Sequence, residues 1–391
     1  MKDKFKEIVN NVKHLVKAGS YAERIGLCFA AIIAFFFLAG LIAPDSDFSD
    51  VENRSLQKFP RISFNEYASG RLEKKLENYV NDQFVGRSAF IRIKSAVDVS
   101  AGSVYSNGVW KGKDGYLMED VVAADDKRMV KTIKALAKFK DSNKDIPMRF
   151  LLAPTAANIY SDKLPALAIT EDQNKYIDKF YSELEKTGIE AVDVRPAFLA
   201  AKDDVQLYYR TDHHWTTDGA KLALDEFAKV REFENIEFEL YEVKNDFVGS
   251  LAAKSGFTGG KADMIKLAGA KDGHNSAIYY YDSQKKTSKF YKMKNLETRD
   301  AYTVFGGQNH PIYTIKTPTD ENRRLLLIKD SYANCMIPFL MQYYREIVVV
   351  DPRYYYDDIE ITILSEGIDE VLFLYNANSF FEDDALSMML Q

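Results

Sequence analysis

Cysteine is almost missing from this chain: two occur in 391 residues. Cys28 lies in an apolar run and Cys335 far along the chain, so no disulfide framework holds the fold and a hydrophobic core must do so. Excess positive charge is missing too. With 52 Lys+Arg against 58 Asp+Glu the net charge is −6, which leaves no basic footprint for nucleic acid. There is no internal repeat and no low-complexity tract, which argues against solenoid and disordered architectures. What remains is a globular composition, 46% hydrophobic and 28% charged, long enough for one large domain or two to three smaller ones. Histidine is scarce at five residues, yet two of them stand side by side in RTDHHWTTDGA, residues 210–220.

One long apolar run bears on the compartment. Residues 25–43, IGLCFAAIIAFFFLAGLIA, are nineteen uncharged residues, close to the roughly 20 that cross a hydrocarbon core as a helix. Lys2, Lys4, Lys6, Lys13, Lys17 and Arg24 precede the run, against Asp3, Glu7 and Glu23; Asp45, Asp47, Asp50 and Glu52 follow it. The basic flank belongs on the cytoplasmic side, which places everything after residue 43 outside the membrane. A cleaved signal peptide carries a shorter apolar region, roughly 7–15 residues, ending in an A-x-A-like site. The longer run here, followed by Pro44, favours an uncleaved single-pass anchor in the cell membrane.

Four segments are therefore expected: a cytoplasmic basic segment at 1–24, a transmembrane helix at 25–43, an extracytoplasmic connector at 44–125 and a catalytic domain at 126–391. In the connector, a helical pattern over 67–97 precedes short strand-like pieces with turn signals at Asn107-Gly108 and Asp114-Gly115. From residue 126 onward helices and strands alternate. A helix over 128–142 leads to MRFLLA (148–153), and one over about 171–187 leads to IEAVDV (189–194). That alternation is the signature of a parallel sheet covered by helices. Residues 216–230 carry Ala220, Ala223, Leu224 and Phe227 at helical spacing. The stretch 231–322 loses the rhythm and reads as an irregular insertion. It resumes with RLLLIK (324–329), a helix to about 344, EIVVV (346–350), a helix near 355–366 and EVLFLYN (370–376). Those three strands are apolar throughout, as strands buried on both faces are.

Two places carry candidate chemistry. Ser331 follows RLLLIKD at the carboxyl end of a strand, where open α/β sheets bind ligands. The backbone N–H there is a candidate donor to an oxyanion, and an ordinary helix cap uses the same residue types. A serine needs a base. Asp212 and His214, two apart in a turn before a helix capped by Thr216 or Thr217, provide a carboxylate-oriented imidazole. A zinc site from Asp212, His213 and His214 is the rival reading, although the spacing is not that of the familiar zinc motifs. His310 is a rival base with no carboxylate within two residues of it. Cys335, one helical turn past Ser331, reads as a buried small hydrophobe. Arg353 with Tyr354–Tyr356 follows the strand next to the serine strand and offers a sugar-lining cluster, and Tyr332 flanks the serine.

T-D-H-H-W, KDSYANC, ENRSLQKFP, DPRYYY and FLYNANSF together resemble the DHHW family, over most of residues 50–382. That family is similar to the alginate O-acetyltransferases of the AlgJ/AlgX type within the SGNH-hydrolase-like superfamily. The resemblance implies a flavodoxin-like αβα sandwich with a parallel sheet and a permuted triad order. Position by position it makes Asp212 the orienting acid, His214 the base, Ser331 the nucleophile and His213 a spacer. Lys329 stands where a glycine usually precedes Asp-Ser. The superfamily's asparagine donor falls on Asn376, with Gly307 and Asn309 as a second option for the oxyanion. The implied activity is O-acetyl transfer to a cell-wall or exopolysaccharide sugar, without metal or cofactor, fed by a membrane-bound O-acyltransferase partner. An acetylesterase with the same triad is the alternative, as is a non-catalytic polysaccharide-binding or assembly protein, which the Lys329 departure favours.

Overall fold

The computed structural model describes residues from Ser20 onward apart from 47, 50–53, 61, 63–66, 68–70, 235, 258–260 and 271–275. The basic flank before residue 20, part of ENRSLQKFP and the acidic residues Asp47, Asp50 and Glu52 lie outside the described residues. The chain divides into two compact units that meet between Val97 and Asp98. That division falls inside the stretch expected as one connector.

In the first unit Ser20 caps a helix, α1 (Tyr21–Ile42), through a capping box with Glu23. Twenty-two residues span about 33 Å at 1.5 Å per residue. The helix is long and apolar enough to cross a membrane, and none of its residues is buried. Helices α2 (Arg71–Asp82) and α3 (Arg87–Ser100) follow.

The second unit is built on an eight-stranded sheet. Its elements in chain order are α4 (Asp126–Ser142), β1 (Met148–Ala153), α5 (Gln173–Glu185), β2 (Glu190–Val192) and α6 (Thr217–Arg231). Next come β3 (Phe238–Phe247), α7 (Ser250–Ser255), β4 (Asp263–Ala270), β5 (Ala277–Tyr280) and β6 (Lys285–Thr287). The chain closes with β7 (Ile312–Lys316), β8 (Arg324–Lys329), β9 (Glu346–Val350), α8 (Ile359–Glu366), β10 (Glu370–Asn376) and α9 (Ala377–Glu382). The sheet order is β6-β5-β7-β9-β8-β10-β1-β2. Strands β9, β8, β10, β1 and β2 are mutually parallel.

The continuous apolar strands are explained by helices on both faces. Leu326, Ile328, Val348 and Phe373 pack under Leu136 and Phe139 of α4, Ile177 and Phe180 of α5 and Ile363 of α8. The alternate residues, Leu325, Leu327, Val349 and Leu374, pack against Ala220, Leu224 and Phe227 of α6 and Ile265 and Leu267 of β4. Burying one such side chain is worth about 1.5–3 kcal/mol, so register is strongly specified. The αβα sandwich expected from the sequence is the architecture found.

Three expectations change. The insertion is ordered over much of its length: β3 and β4 form an antiparallel hairpin, β7 pairs antiparallel with β9, and β5 and β6 extend the sheet beyond it, each antiparallel to its neighbour. The sheet is accordingly mixed. β6 is Lys-Lys-Thr, and β5 and β7, Ala-Ile-Tyr-Tyr and Ile-Tyr-Thr-Ile-Lys, are short and of mixed polarity, so no long apolar run marks them. Residues 105–119 belong to the second unit as a three-stranded meander, turning at Asn107 and Gly108 with φ of 49° and 76°. That is the positive-φ pair of a tight hairpin turn. Finally, the helix expected from Ser331 to about 344 is a 3₁₀ turn, Ser331–Cys335, and a short helix, Ile337–Leu340. Pro338 cannot donate a backbone N–H and sits in the first turn of the second piece.

Candidate active site

β8 lies between β9 and β10, so consecutive strands leave it in opposite directions. The carboxyl end of such a strand opens into the crevice where α/β sheets bind ligands. Ser331 sits there, two residues past the end of β8. Asp330 turns the chain: its carboxylate accepts from Tyr332 N (2.9 Å) and from Asn376 N at the end of β10 (2.8 Å). Burial raises the Asp330 carboxyl above its ordinary range, and these two backbone donors oppose that shift.

The histidines arrive on a tight turn. Tyr208 and Trp215 form an antiparallel bridge, and Thr216 N donates to Leu207 O at 2.9 Å, leaving residues 210–214 at the tip. Buried Asp263 holds that tip, accepting from Arg210 N, Thr211 N, Thr211 Oγ1 and Gln206 Nε2. Thr216, not Thr217, caps α6, accepting from Gly219 N at 3.1 Å.

This turn brings Asp212, His214 and Ser331 into a line. His214 Nδ1 lies 2.6 Å from Asp212 Oδ1, and His214 Nε2 lies 2.9 Å from Ser331 Oγ. Asp212 is 2% exposed and His214 6%. The other carboxylate oxygen, Asp212 Oδ2, accepts from Ser250 N and Ser250 Oγ, each at 2.8 Å. Burial alone raises the Asp212 carboxyl, but the two imidazoles and the Ser250 N–H outweigh it and hold the group well below the usual carboxylate range. Burial, with His213 alongside, pushes His214 down to about 4 against the pull of Asp212. The imidazole is therefore neutral near pH 7, with Nδ1–H donated to Asp212 and Nε2 free to accept the serine proton.

Tyr302 and Gly249 from outside the two motifs, with Trp215 and Tyr332 from within them, fix this geometry. The Tyr302 ring stacks on His214 at 3.6 Å and 10°, and its hydroxyl donates to Ser331 O at 3.3 Å. Trp215 Nε1 donates to Tyr332 O at 2.9 Å, and the Tyr332 hydroxyl donates to His213 O. Tyr332 is buried at 2% exposure and so clamps the two halves together; it does not border the site as an open wall. Gly249 allows the close approach of α7, since a Cβ there lies 2.3 Å from Asp212 Cβ. The sequence reading missed Ser250, Gly249, Tyr302 and Asp263; only Gly-Ser before a short helical run, at 249–250, offered a local signal.

The remaining candidates are placed differently. His213 is more than a spacer: its Nδ1 lies 2.9 Å from Ser250 Oγ, which itself donates to Asp212. One ligand atom each from Asp212, His213 and His214 lies within 4.8 Å of the others. Both Asp212 oxygens and both His214 nitrogens are already engaged, however, so this donor set suits a hydrogen-bonded relay better than a zinc cage. His310 has a carboxylate after all, Asp282 at 2.8 Å, supplied by spatial and not sequence proximity. Asn376 Oδ1 caps α9 by accepting from Asn378 N, and Nδ2 reaches Ala153 O at 3.4 Å, so its side chain is turned to the neighbouring strand end. Arg353 grips Asp351 through Nε (2.9 Å) and Nη2 (2.6 Å). Lys329 is 1% exposed and donates to Asn309 Oδ1 (3.1 Å) and Asn334 Oδ1 (2.9 Å), with Asp351 at 3.7 Å. Burial lowers its ammonium to about 8. The residue that replaces the usual glycine thus ties the serine turn to the 305–311 loop. Cys335 is fully buried, and burial pushes its thiol up to about 12.

Comparison with known proteins follows the same lines. A DHHW family protein from Eubacterium siraeum shares the fold at a TM-score of 0.59 and 22% identity, covering 73% of this chain and 96% of that one. PatB1 of Bacillus cereus, solved with a sulfonyl adduct, gives a TM-score of 0.58 at 19% identity over 71% of this chain and 97% of that one. A probable alginate O-acetylase, AlgJ, from Pseudomonas syringae pv. tomato is 24% identical over 176 residues, 44% of this chain and 45% of the relative. Its Pseudomonas putida counterpart is 23% identical over 180 residues, 44% and 47% respectively. The chain thus matches about half the length of these curated relatives. The family model described as SGNH hydrolase-like domain, acetyltransferase AlgX, matches residues 109–313, more than half of the chain, and by that match the protein belongs to this family.

Proposed function

We propose that the protein is a membrane-anchored O-acetyltransferase that moves an acetyl group onto a sugar hydroxyl of a cell-wall polymer or exopolysaccharide. The observation that carries the reading is the line Asp212 Oδ1–His214 Nδ1–His214 Nε2–Ser331 Oγ, at 2.6 and 2.9 Å. Ser331 Oγ attacks the acyl carbonyl and its proton passes to His214 Nε2. The tetrahedral oxyanion, facing the Ser331 backbone N–H, collapses to the acyl-serine, and His214 returns the proton to the departing oxygen. A sugar hydroxyl then attacks the ester, losing its proton to His214, and Ser331 is released. Asp212, kept ionised by Ser250, supports the imidazolium in both halves.

The family relationship favours transfer over hydrolysis, and the apolar helix Tyr21–Ile42 supports the membrane anchor in this reading. A multi-pass membrane O-acyltransferase is the fitting source of the acyl group. The test is turnover of an acetyl ester with and without an oligosaccharide acceptor. Ser331→Ala and His214→Ala are each expected to abolish both activities at unchanged thermal midpoint; residual turnover in either refutes the mechanism. Acetylated acceptor marks a transferase, and free acetate alone marks an esterase.

A further inference from the structure

A cavity of about 710 Å³ lies away from Ser331. It is lined by residues of β5, β6 and β7, the first residue of β9 and the last residue of α8. Its walls include Tyr279, Tyr281, Lys286, Thr314, Glu346 and Glu366. Register places Thr314 beside Val348 and Lys316 beside Glu346, at the amino end of β9. Ser331 stands past the carboxyl end of the neighbouring strand, seven residues beyond the Arg324 that pairs with Glu346, a separation of about 23 Å at 3.3 Å per residue.

We propose that this groove is a saccharide-binding site, distinct from the Ser331 centre, that takes a stretch of neutral polysaccharide. Tyr279 and Tyr281 present two rings on one side of β5, edge to face at 4.8 Å, and such platforms stack on the apolar faces of sugar rings. The Tyr281 hydroxyl is held by Thr314 Oγ1 (3.2 Å) and Glu366 Oε1 (3.3 Å), which fixes the ring. Lys286 Nζ lies 5.5 Å from the Tyr279 ring centroid. Glu346 supplies a second, independent sign. Its side chain is 7% exposed and ion-paired on both oxygens, Oε1 with Lys316 Nζ at 3.3 Å and Oε2 with Arg324 Nε at 3.7 Å. The paired carboxylate and ammonium, fixed in the wall beside the rings, can accept from and donate to sugar hydroxyls. Two lysines and two glutamates balance, so the lining has no net attraction for a polyanion. The groove does not depend on Ser331 acting as nucleophile. It would hold polymer beside the reaction edge while the acceptor hydroxyl is presented elsewhere along the chain.

The test is isothermal titration of the full chain, in a detergent without a sugar headgroup, with chitohexaose, cellohexaose and laminarihexaose. At least one is expected to bind, and Ser331→Ala to bind it equally. Tyr279→Ala and Tyr281→Ala should each weaken binding about tenfold, while Tyr281→Phe, which keeps the ring, stays within about threefold. Unchanged thermal midpoints show that the variants fold. The proposal is overturned by failure of all three sugars to bind, or by binding insensitive to the tyrosines. Preference for a hexuronate over every neutral sugar overturns it too, as does a dimer, seen by light scattering, that the tyrosine substitutions dissolve.

Discussion

A charge relay of this kind leaves a definite pH signature on individual residues. His214, pushed down to about 4, must be neutral to accept the serine proton. Turnover is therefore expected to stay level from neutral pH to about 5 and to decline as the pH falls through about 4. A decline centred near 6.5, the ordinary histidine value, contradicts the placement of His214. The same shift acts on stability. Between about 6.5 and about 4 the unfolded chain binds the imidazole proton and the folded chain does not, so this contribution is complete above 6.5 and lost as pH falls to 4. Thermal midpoints across that window measure it. Gly249 makes a second prediction. A methyl 2.3 Å from Asp212 Cβ must displace either α7 or the carboxylate. Gly249→Ala is expected to cost about 1–3 kcal/mol of stability and to lower turnover on the order of 100-fold. Both are read from denaturant melts and initial rates. His213→Ala breaks the contact to Ser250 but leaves Asp212 two donors from Ser250 and two from His214, so a loss of about tenfold or less is expected.

At the scale of elements, the decisive unit is the turn between Leu207 and Thr216. Its backbone bridge keeps the histidine tip short, and Asp263 at the start of β4 pins it from the insertion side. Asp263→Ala leaves four donors without their acceptor. A loss of about 2–4 kcal/mol is expected, with turnover falling in parallel. Equal stability in urea melts refutes the pinning role. The short spacing of Asp212 and His214 was legible because residues two apart in a turn meet whatever the rest of the fold does. The helices α4, α5 and α6 were legible from their apolar period, and β1, β8, β9 and β10 from their apolar runs. Strands β5, β6 and β7 were not. Short and of mixed polarity, they carry no distinct pattern, and only successive pairing outward from β9 makes them sheet.

For the molecule as a whole, α1 is the element long and apolar enough to cross a membrane, and the proposed anchoring is tested there. Deleting residues up to 43 is expected to move the protein from the membrane pellet to the soluble fraction, and protease added to intact cells should digest the second unit. Protection from that protease refutes the outward orientation.

Two sequence features needed no fold to be read. The apolar run of residues 25–43 defines a membrane-length helix because nothing but length and polarity is required. The apolar β-strands imply a sheet covered on both faces because burial on either side leaves no place for a polar residue. Only the tertiary structure joined His214 to Ser331 across 117 residues. It alone brought Ser250 under Asp212, laid Tyr302 on His214 and gave Lys329 its two asparagines. Contacts between residues remote in the chain impose no period on the sequence, so they can be read only once the sheet has brought those residues to one edge.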